Sequence, residues 1–237
     1  MAQAFDARRM AEAVAEVRYR MEQAAKAAGR DPADILLCAV CKTRTPETIR
    51  DSAALPVDLF GENHMQELVV NHEAGAYLDK PVHFIGHLQT NKLKMVLPYV
   101  TLIQSVDSLR LLEAINTWGL ANGKVINVLL EPHVAAEDSK QGFSVDETLM
   151  LLGRTEKFTA LCFKGLMGMA TFTEDESVIR SDFSRIRSIY DAALTSCPGL
   201  ADTFTELSIG MSDDYPIAIE YGSTMVRIGS MIFGSRY

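Results

Sequence analysis

Clustered basic charge is missing from this chain: Lys and Arg number 23 against 31 Asp and Glu, a net charge of −8, with an isoelectric point near 5.2. Binding along a phosphate backbone relies on lysine and arginine displacing counterions, so nucleic acid is not expected as a partner. Long uncharged apolar runs are absent too, and no segment reaches the roughly 18 residues that a membrane helix needs. The amino terminus is rich in Ala and Arg, but Asp6, Glu12, Glu16 and Glu22 interrupt it, as they would not in an acid-poor transit peptide. A cytoplasmic location is the expectation. Cysteine is scarce, and Cys38, Cys41, Cys162 and Cys197 among 237 residues do not make a disulfide framework. The Cys38-x-x-Cys41 spacing falls on a strand-like run, where residues three apart face opposite ways, so free core thiols are expected rather than a redox pair. His83 and His87 straddle a strand end without a Cys or carboxylate to complete a shell, so no metal is expected. Nor does any Pro/Gly/Ser-rich linker divide the chain, which reads as one domain over 1–237.

What is present is alternation. Residues 5–28 carry Met10, Val14, Val17 and Met21 at helical spacing and close on Gly29 and Pro32, which predicts an amino-terminal helix within residues 1–30. Short apolar runs then recur at 36–41, 59–60, 82–85, 101–104, 125–130, 161–166, 205–207 and 225–228. Between them lie helix-like segments at 46–52, 65–78, 90–97, 108–121, 145–152, 176–194 and 213–220. Eight strands with seven intervening helices predict a closed (β/α)8 TIM-type barrel with an added amino-terminal helix. No G-x-G-x-x-G follows the first strand, so the dinucleotide-binding alternative has no support.

In such a barrel the chemistry belongs at the carboxyl ends of the strands. Lys42 ends the run Ile35-Leu-Leu-Cys-Ala-Val-Cys-Lys42, and period-two alternation puts Cys38, Val40 and Lys42 on one face and Leu37, Ala39 and Cys41 on the other. A lysine in an apolar setting has a lowered pKa, and its neutral amine can attack an aldehyde to form a Schiff base. The plain alternative is a solvated lysine at a strand end. Lys164 on the sixth strand is a rival amine, and a Schiff-base aldolase would use it. Near the carboxyl end, Leu207-Ser-Ile-Gly-Met-Ser212 before Asp213-Asp214, and Arg227-Ile-Gly-Ser230 after it, both look like anion nests after the last two strands. Gly-Ser pairs are also ordinary turn residues. Arg227 lies inside an apolar strand and needs a buried acceptor, either a carboxylate such as Glu206 or Glu62 or the ring nitrogen of a ligand. His87 reads as a loop donor, and Lys140 belongs to a long polar loop from Pro132 to Gly142.

Taken together, Ala39-Val-Cys-Lys-Thr43, Phe60-Gly-Glu-Asn63, His83-Phe-Ile-Gly-His-Leu-Gln89, Lys140-Gln-Gly-Phe143, Gly165-Leu-Met167, Leu207-Ser-Ile-Gly-Met-Ser212 and Arg227-Ile-Gly-Ser230 resemble a known family. It is that of the pyridoxal-phosphate homeostasis proteins, often called YggS or PROSC, whose barrel is similar to the amino-terminal domain of alanine racemase, fold type III of the PLP proteins. The resemblance runs over nearly the whole chain. It implies a covalent pyridoxal 5'-phosphate (PLP) on Lys42, a phosphate held by Ser208, Gly229 and Ser230, a ring nitrogen facing Arg227, and a pocket lined by Asn63, Met211 and Ser212. Cys41 stands where the family usually has Ser, and Ser230 where it usually has Thr; the hydroxyl is kept. Arg227 would offer a hydrogen bond without protonating the ring, which weakens carbanion chemistry. Racemases supply a second acid/base opposite the lysine from an extra domain, and here no opposite partner for Lys42 is apparent. The expectation is therefore a monomeric, non-catalytic carrier that sequesters PLP, hands it to apo PLP-dependent enzymes and so influences vitamin B6 pools, with a weak amino-acid racemase as the alternative.

Overall fold

Eight parallel strands close on themselves in chain order: β1 (Leu36–Val40), β2 (Leu59–Glu62), β3 (Val82–Phe84), β4 (Leu102–Val106), β5 (Ile126–Leu130), β6 (Leu161–Met167), β7 (Glu206–Ser208) and β8 (Met225–Ile228). The ring is completed by β8 against β1, with Cys38 opposite Arg227 and Ala39 opposite Ile228. This is the (β/α)8 barrel that the alternation predicts, seen in a computed structural model that describes residues 7–134 and 142–234.

Alternation along the strands separates two apolar environments, as parallel strands covered on both faces require. Leu37, Ala39 and Cys41 from β1 and its end, Phe60, Phe84, Ile103, Val128, Leu166, Leu207 and Val226 face the helices and form one continuous core. Their neighbours fill the barrel in two smaller clusters, Cys38 with Leu59 and Met225, and Leu102 with Leu129 and Met167. Both cysteines of the 38–41 pair are buried and free, and burial pushes the Cys38 thiol up to about 12. They are core residues, as expected.

The helices are α1 (Ala7–Ala27), α2 (Pro46–Ala53), α3 (Met65–Glu73), α4 (Leu93–Val96), α5 (Leu109–Asn122), α6 (Val145–Leu152), α7 (Glu176–Ser196), α8 (Tyr215–Glu220) and α9 (Ser230–Phe233). Along α1, Met10, Val14, Val17, Met21 and Ala25 form one buried stripe, which packs against α8, α9 and α2. Two arginines tie this helix and its exit to the barrel. Arg18 donates to the Asp58 carboxylate at 2.6 Å, which also accepts the Leu37 amide, and Arg30 donates to the carbonyls of Ile219 and Ser223.

Several boundaries differ from the sequence reading. The helix expected over 65–78 stops at Glu73, because Gly75 takes a left-handed φ of 62° and reverses the chain. The segment 90–97 is a 3-10 turn followed by the four-residue α4, and α9 arises where only a loop was expected. β2 continues through Gly61 and Glu62, β4 through Val106 and β6 through Met167. The start of the amino-terminal helix at Phe5 and the loop carrying Lys140 lie outside the described residues.

One irregularity shapes the sixth strand. Val128 pairs with Phe163 but Leu129 pairs with Gly165, so Lys164 is bulged out of register. Gly165 has φ +152°, and a β-carbon there would fall 1.7 Å from the Glu206 carbonyl oxygen. Gly165→Ala must therefore push β6 from β7, and a loss of about 3 kcal/mol or more is expected. A melting temperature lowered by roughly 10 °C would show it in a thermal unfolding scan, and an unchanged one would contradict it. Lys164 acts electrostatically on Glu206, the first residue of β7. That places its charge toward the amino end of the strands, away from the face where the barrel chemistry is expected.

Candidate functional site

Lys42 follows β1 in a tight turn held from three sides. The Cys41 amide donates to the Gly61 carbonyl, the Arg44 amide donates back to the Cys41 carbonyl, and the Thr43 amide donates to Glu67 Oε2 at 2.8 Å. Thr43 adopts a left-handed φ of 63°, a conformation that a β-branched residue takes only when its surroundings impose it. Behind this turn, on the helix side, Glu62 is fully buried. Its Oε1 accepts from Asn71 Nδ2, Tyr77 Oη and Cys41 Sγ at 2.8, 2.6 and 3.1 Å. Burial raises the Glu62 pKa, against the opposing pull of those three donors. Glu62 thus fixes the end of β1 from outside the barrel, and it is not the partner of Arg227.

Glu206, the other carboxylate considered for Arg227, instead accepts from Thr224 Oγ1. Arg227 makes its hydrogen bonds to neutral atoms. Nη1 donates to the carbonyl and hydroxyl oxygens of Ser208 at 2.6 and 2.7 Å, and Nη2 donates to the Gly168 carbonyl at 2.9 Å. These bonds use three of the five guanidinium N–H groups. Ser208 passes the polarity on, donating from Oγ to Gln104 Oε1 at 2.7 Å, and Gln104 Nε2 lies 2.9 Å from His83 Nδ1. With the amide donating, His83 must accept at Nδ1 and stay neutral, in keeping with a pKa lowered by burial to about 4. Four side chains from β8, β7, β4 and β3 therefore form a relay in which every hydrogen points away from Arg227. Among the described residues no carboxylate closes it. Burial lowers the Arg227 pKa, while the electrostatic influence of Cys38, Asp214 and Glu131 acts to raise it. Burying a cation without a paired anion is expensive, so the site is poised for a negatively charged ligand.

The two nests adjoin this cation. The Arg227 amide donates to the Gly210 carbonyl, tying the loop after β7 to β8. In that loop the Met211 amide donates to Asp214 Oδ1, and the Met211 and Ser212 side chains are half-buried. Gly229 and exposed Ser230 follow β8 directly. A β-carbon at Gly229 would lie 3.3 Å from the Val40 carbonyl oxygen, so this turn packs against the end of the strand that delivers Lys42. Lys42, Gly229-Ser230 and Met211-Ser212 thus follow three consecutive strands of the ring, β1, β8 and β7. Asn63, after β2, carries a buried Oδ1 with no hydrogen-bond partner. Ser208 differs from the rest: it is fully buried and its hydroxyl is committed to Gln104 and Arg227.

The sequence reading missed Gln104 and Glu131. Gln104 is a polar residue inside the apolar run of β4, and Glu131 ends the apolar run of β5 much as Lys42 ends that of β1. No partner opposite Lys42 was apparent in the sequence, yet β5 lies across the closed ring from β1. Glu131 is half-buried, and burial together with the neighbouring Asp107 charge raises its pKa to about 7. Because the folded state holds that proton more tightly than the unfolded chain, with its ordinary value of 4.5, Glu131 contributes stability below pH 4.5 that is lost as pH rises through 7. Relative to Glu131→Gln, the unliganded wild type should therefore gain roughly 2 kcal/mol between pH 7.5 and pH 4.5, discounted for partial exposure. Paired denaturant melts at the two pH values measure this.

Among the described residues no helix is long and apolar enough to cross a membrane, and no His/Cys/Asp/Glu group has the arrangement of a metal site. The alanine racemase amino-terminal domain family matches residues 13–237. A pyridoxal phosphate homeostasis protein from Pseudomonas aeruginosa is 36% identical over 227 residues, which cover 96% of each chain. Among solved structures, a protein of unknown function from Bifidobacterium adolescentis superposes with a TM-score of 0.89 at 35% identity, covering 96% of this chain and 95% of its own. PipY of Synechococcus elongatus, solved with PLP bound, superposes with a TM-score of 0.79 at 27% identity, covering 91% of this chain and all of its own. With its barrel, its strand-end lysine and this full-length similarity, the chain belongs to the pyridoxal phosphate homeostasis proteins of the alanine racemase amino-terminal-domain family.

Proposed function

We propose that this protein holds PLP reversibly through Lys42 and serves its storage and supply rather than its use in catalysis. The observation that carries the reading is Arg227, a buried cation hydrogen-bonded only to neutral acceptors and seated one strand from Lys42. When bound, PLP supplies an aldehyde that an amine can take up as a Schiff base, and a phosphate that offsets the positive charge of Arg227. Lys42 is the amine. Ser212, Gly229 and Ser230 bind the phosphate with backbone and hydroxyl donors, beside Met211. Ser208, enclosed and already bonded, serves this group by fixing the Arg227 fork. Asn63 Oδ1, an orphaned acceptor, lines the same pocket and takes a donor from the ligand.

Arg227 favours binding over turnover. Its guanidinium keeps its protons whatever it faces, so it donates a hydrogen bond to a ring nitrogen and withholds the full protonation that strong carbanion chemistry needs. A second reading, weak amino-acid racemase activity, is favoured by Glu131, which stands across the ring from Lys42 and titrates near neutrality. A chiral assay with alanine and serine separates the two. The carrier reading expects protein that turns yellow with PLP and leaves both amino acids enantiomerically unchanged. Turnover lost in both Lys42→Ala and Glu131→Gln would replace it with the racemase.

A further inference from the structure

Glu131, half-buried, has a feature that the buried acids lack. Glu62 is held by three donors, Asp182 by the amide and hydroxyl of Thr171, and Asp214 by the Met211 amide. Among the described residues no hydrogen bond reaches the Glu131 carboxyl. Its backbone, by contrast, is pinned: the amide donates to the Val106 carbonyl at 2.9 Å and the carbonyl accepts the Phe143 amide at 2.9 Å. The β-ladder therefore runs on past Leu130, and Glu131 continues the parity of Leu129, whose side chain belongs to the inner cluster with Leu102 and Met167. The carboxyl is thus directed into the barrel mouth, from the strand opposite the one that bears Lys42.

We infer that Glu131 recognises a primary ammonium group on a ligand that occupies the Lys42 site, so that the protein also takes amine-bearing ligands without forming a covalent bond. This rests on the PLP reading. With phosphate donors after β7 and β8 and the amine after β1, the far side of the mouth is where a ligand's own amino nitrogen meets protein, and an unpaired carboxylate there is a complementary acceptor. The groups around it suit that role. Asp107, after β4, is engaged by His87 Nδ1 at 3.1 Å; Arg227 on β8 gives hydrogen bonds to Ser208 and Gly168, while its charge, like that of His87, favours the carboxylate form of Glu131; and β6 presents the apolar Met167. Glu131 thus adds negative charge on a side where Asp107 is already present, and an ammonium offsets both the burial and the Asp107 repulsion that raise its pKa.

Two sources offer this chemistry, the aminated form of the cofactor and a free amino acid, and two calorimetric titrations distinguish them. Pyridoxamine 5'-phosphate, which has no aldehyde, and alanine are each titrated into the unliganded protein. Each is run on the wild type and Glu131→Gln at pH 6 and pH 8; comparing the two proteins at each pH cancels the phosphate's own ionisation. A charge-assisted hydrogen bond makes the wild type about tenfold tighter than the variant at pH 8, the advantage shrinking toward unity at pH 6, in whichever titration carries the true ligand. Carbon NMR of the Glu131 carboxyl in the unliganded protein, shifting on addition of that ligand, gives the same answer without a variant. Equal affinities at both pH values in both titrations, or a carboxyl resonance that does not move, would overturn the inference. If the protein still turns yellow with PLP, that failure leaves the Lys42 reading intact, whereas failure to bind PLP at all removes both.

Discussion

Truncating Arg227 to alanine is expected to lower stability by about 2–4 kcal/mol and to weaken PLP retention by roughly a hundredfold. The stability loss comes from three acceptors, the carbonyl and hydroxyl oxygens of Ser208 and the carbonyl of Gly168, left inside the barrel without donors. Removing a costly buried cation offsets part of it, which keeps the figure below that of a broken buried ion pair. The binding loss follows from the role proposed for the same residue, a buried positive charge that favours an anionic ligand. Arg227→Lys separates the two contributions. A lysine restores a point charge without the planar fork, so it should recover part of the binding while leaving the Ser208–Gln104–His83 relay weakened. Urea melts report the first quantity and equilibrium dialysis the second. A variant as stable as the wild type and equally able to retain the ligand would contradict the role given to the relay.

The second large effect concerns Lys42→Ala. The substitution removes the amine and leaves the proposed phosphate donors Gly229, Ser230 and Ser212, and Arg227, in place, so phosphate binding should persist while covalent retention should disappear. The ligand should then dialyse away completely from the variant and only slowly from the wild type. The turn itself should survive the substitution, because its backbone is held by the amides of Cys41, Thr43 and Arg44. Gel filtration followed by an absorption spectrum distinguishes retention from loss. A variant that stays as yellow as the wild type would transfer the covalent role to another amine, and Lys164→Ala would then identify whether the sixth strand supplies it.

The barrel was legible because its elements carry strong local signals. β8 over Met225–Ile228 and α6 over Val145–Leu152 have the bounds that their patterns predict, and the alternation of 37–41 separates the core-facing residues from the barrel-facing ones as expected. Errors arose where tertiary contacts decide. The segment after Glu73 looks helical until Gly75 takes a left-handed turn, and Gly61-Glu62 looks like a loop until pairing with β1 and β3 draws both residues into β2. The bulge at Lys164 is invisible locally, since it depends on how β5 and β6 register. The same limit applies to the site. An arginine in an apolar strand announces a buried acceptor but not its identity, and the acceptors are neutral oxygens 19 and 59 residues away in sequence. The signals for Gln104 and Glu131 were local and simple, a polar side chain within or at the end of an apolar strand. They went unread because neither belongs to a recognisable motif.

The central claim is that one lysine, Lys42, takes up the cofactor's aldehyde. Borohydride reduction of the PLP-treated protein, followed by proteolysis and mass spectrometry of the peptides, tests it most directly. The account predicts a single stable phosphopyridoxyl adduct on the peptide bearing Lys42, absent when reduction is omitted. An unmodified Lys42 peptide, with the adduct on Lys164 or with no adduct on any lysine, would contradict it.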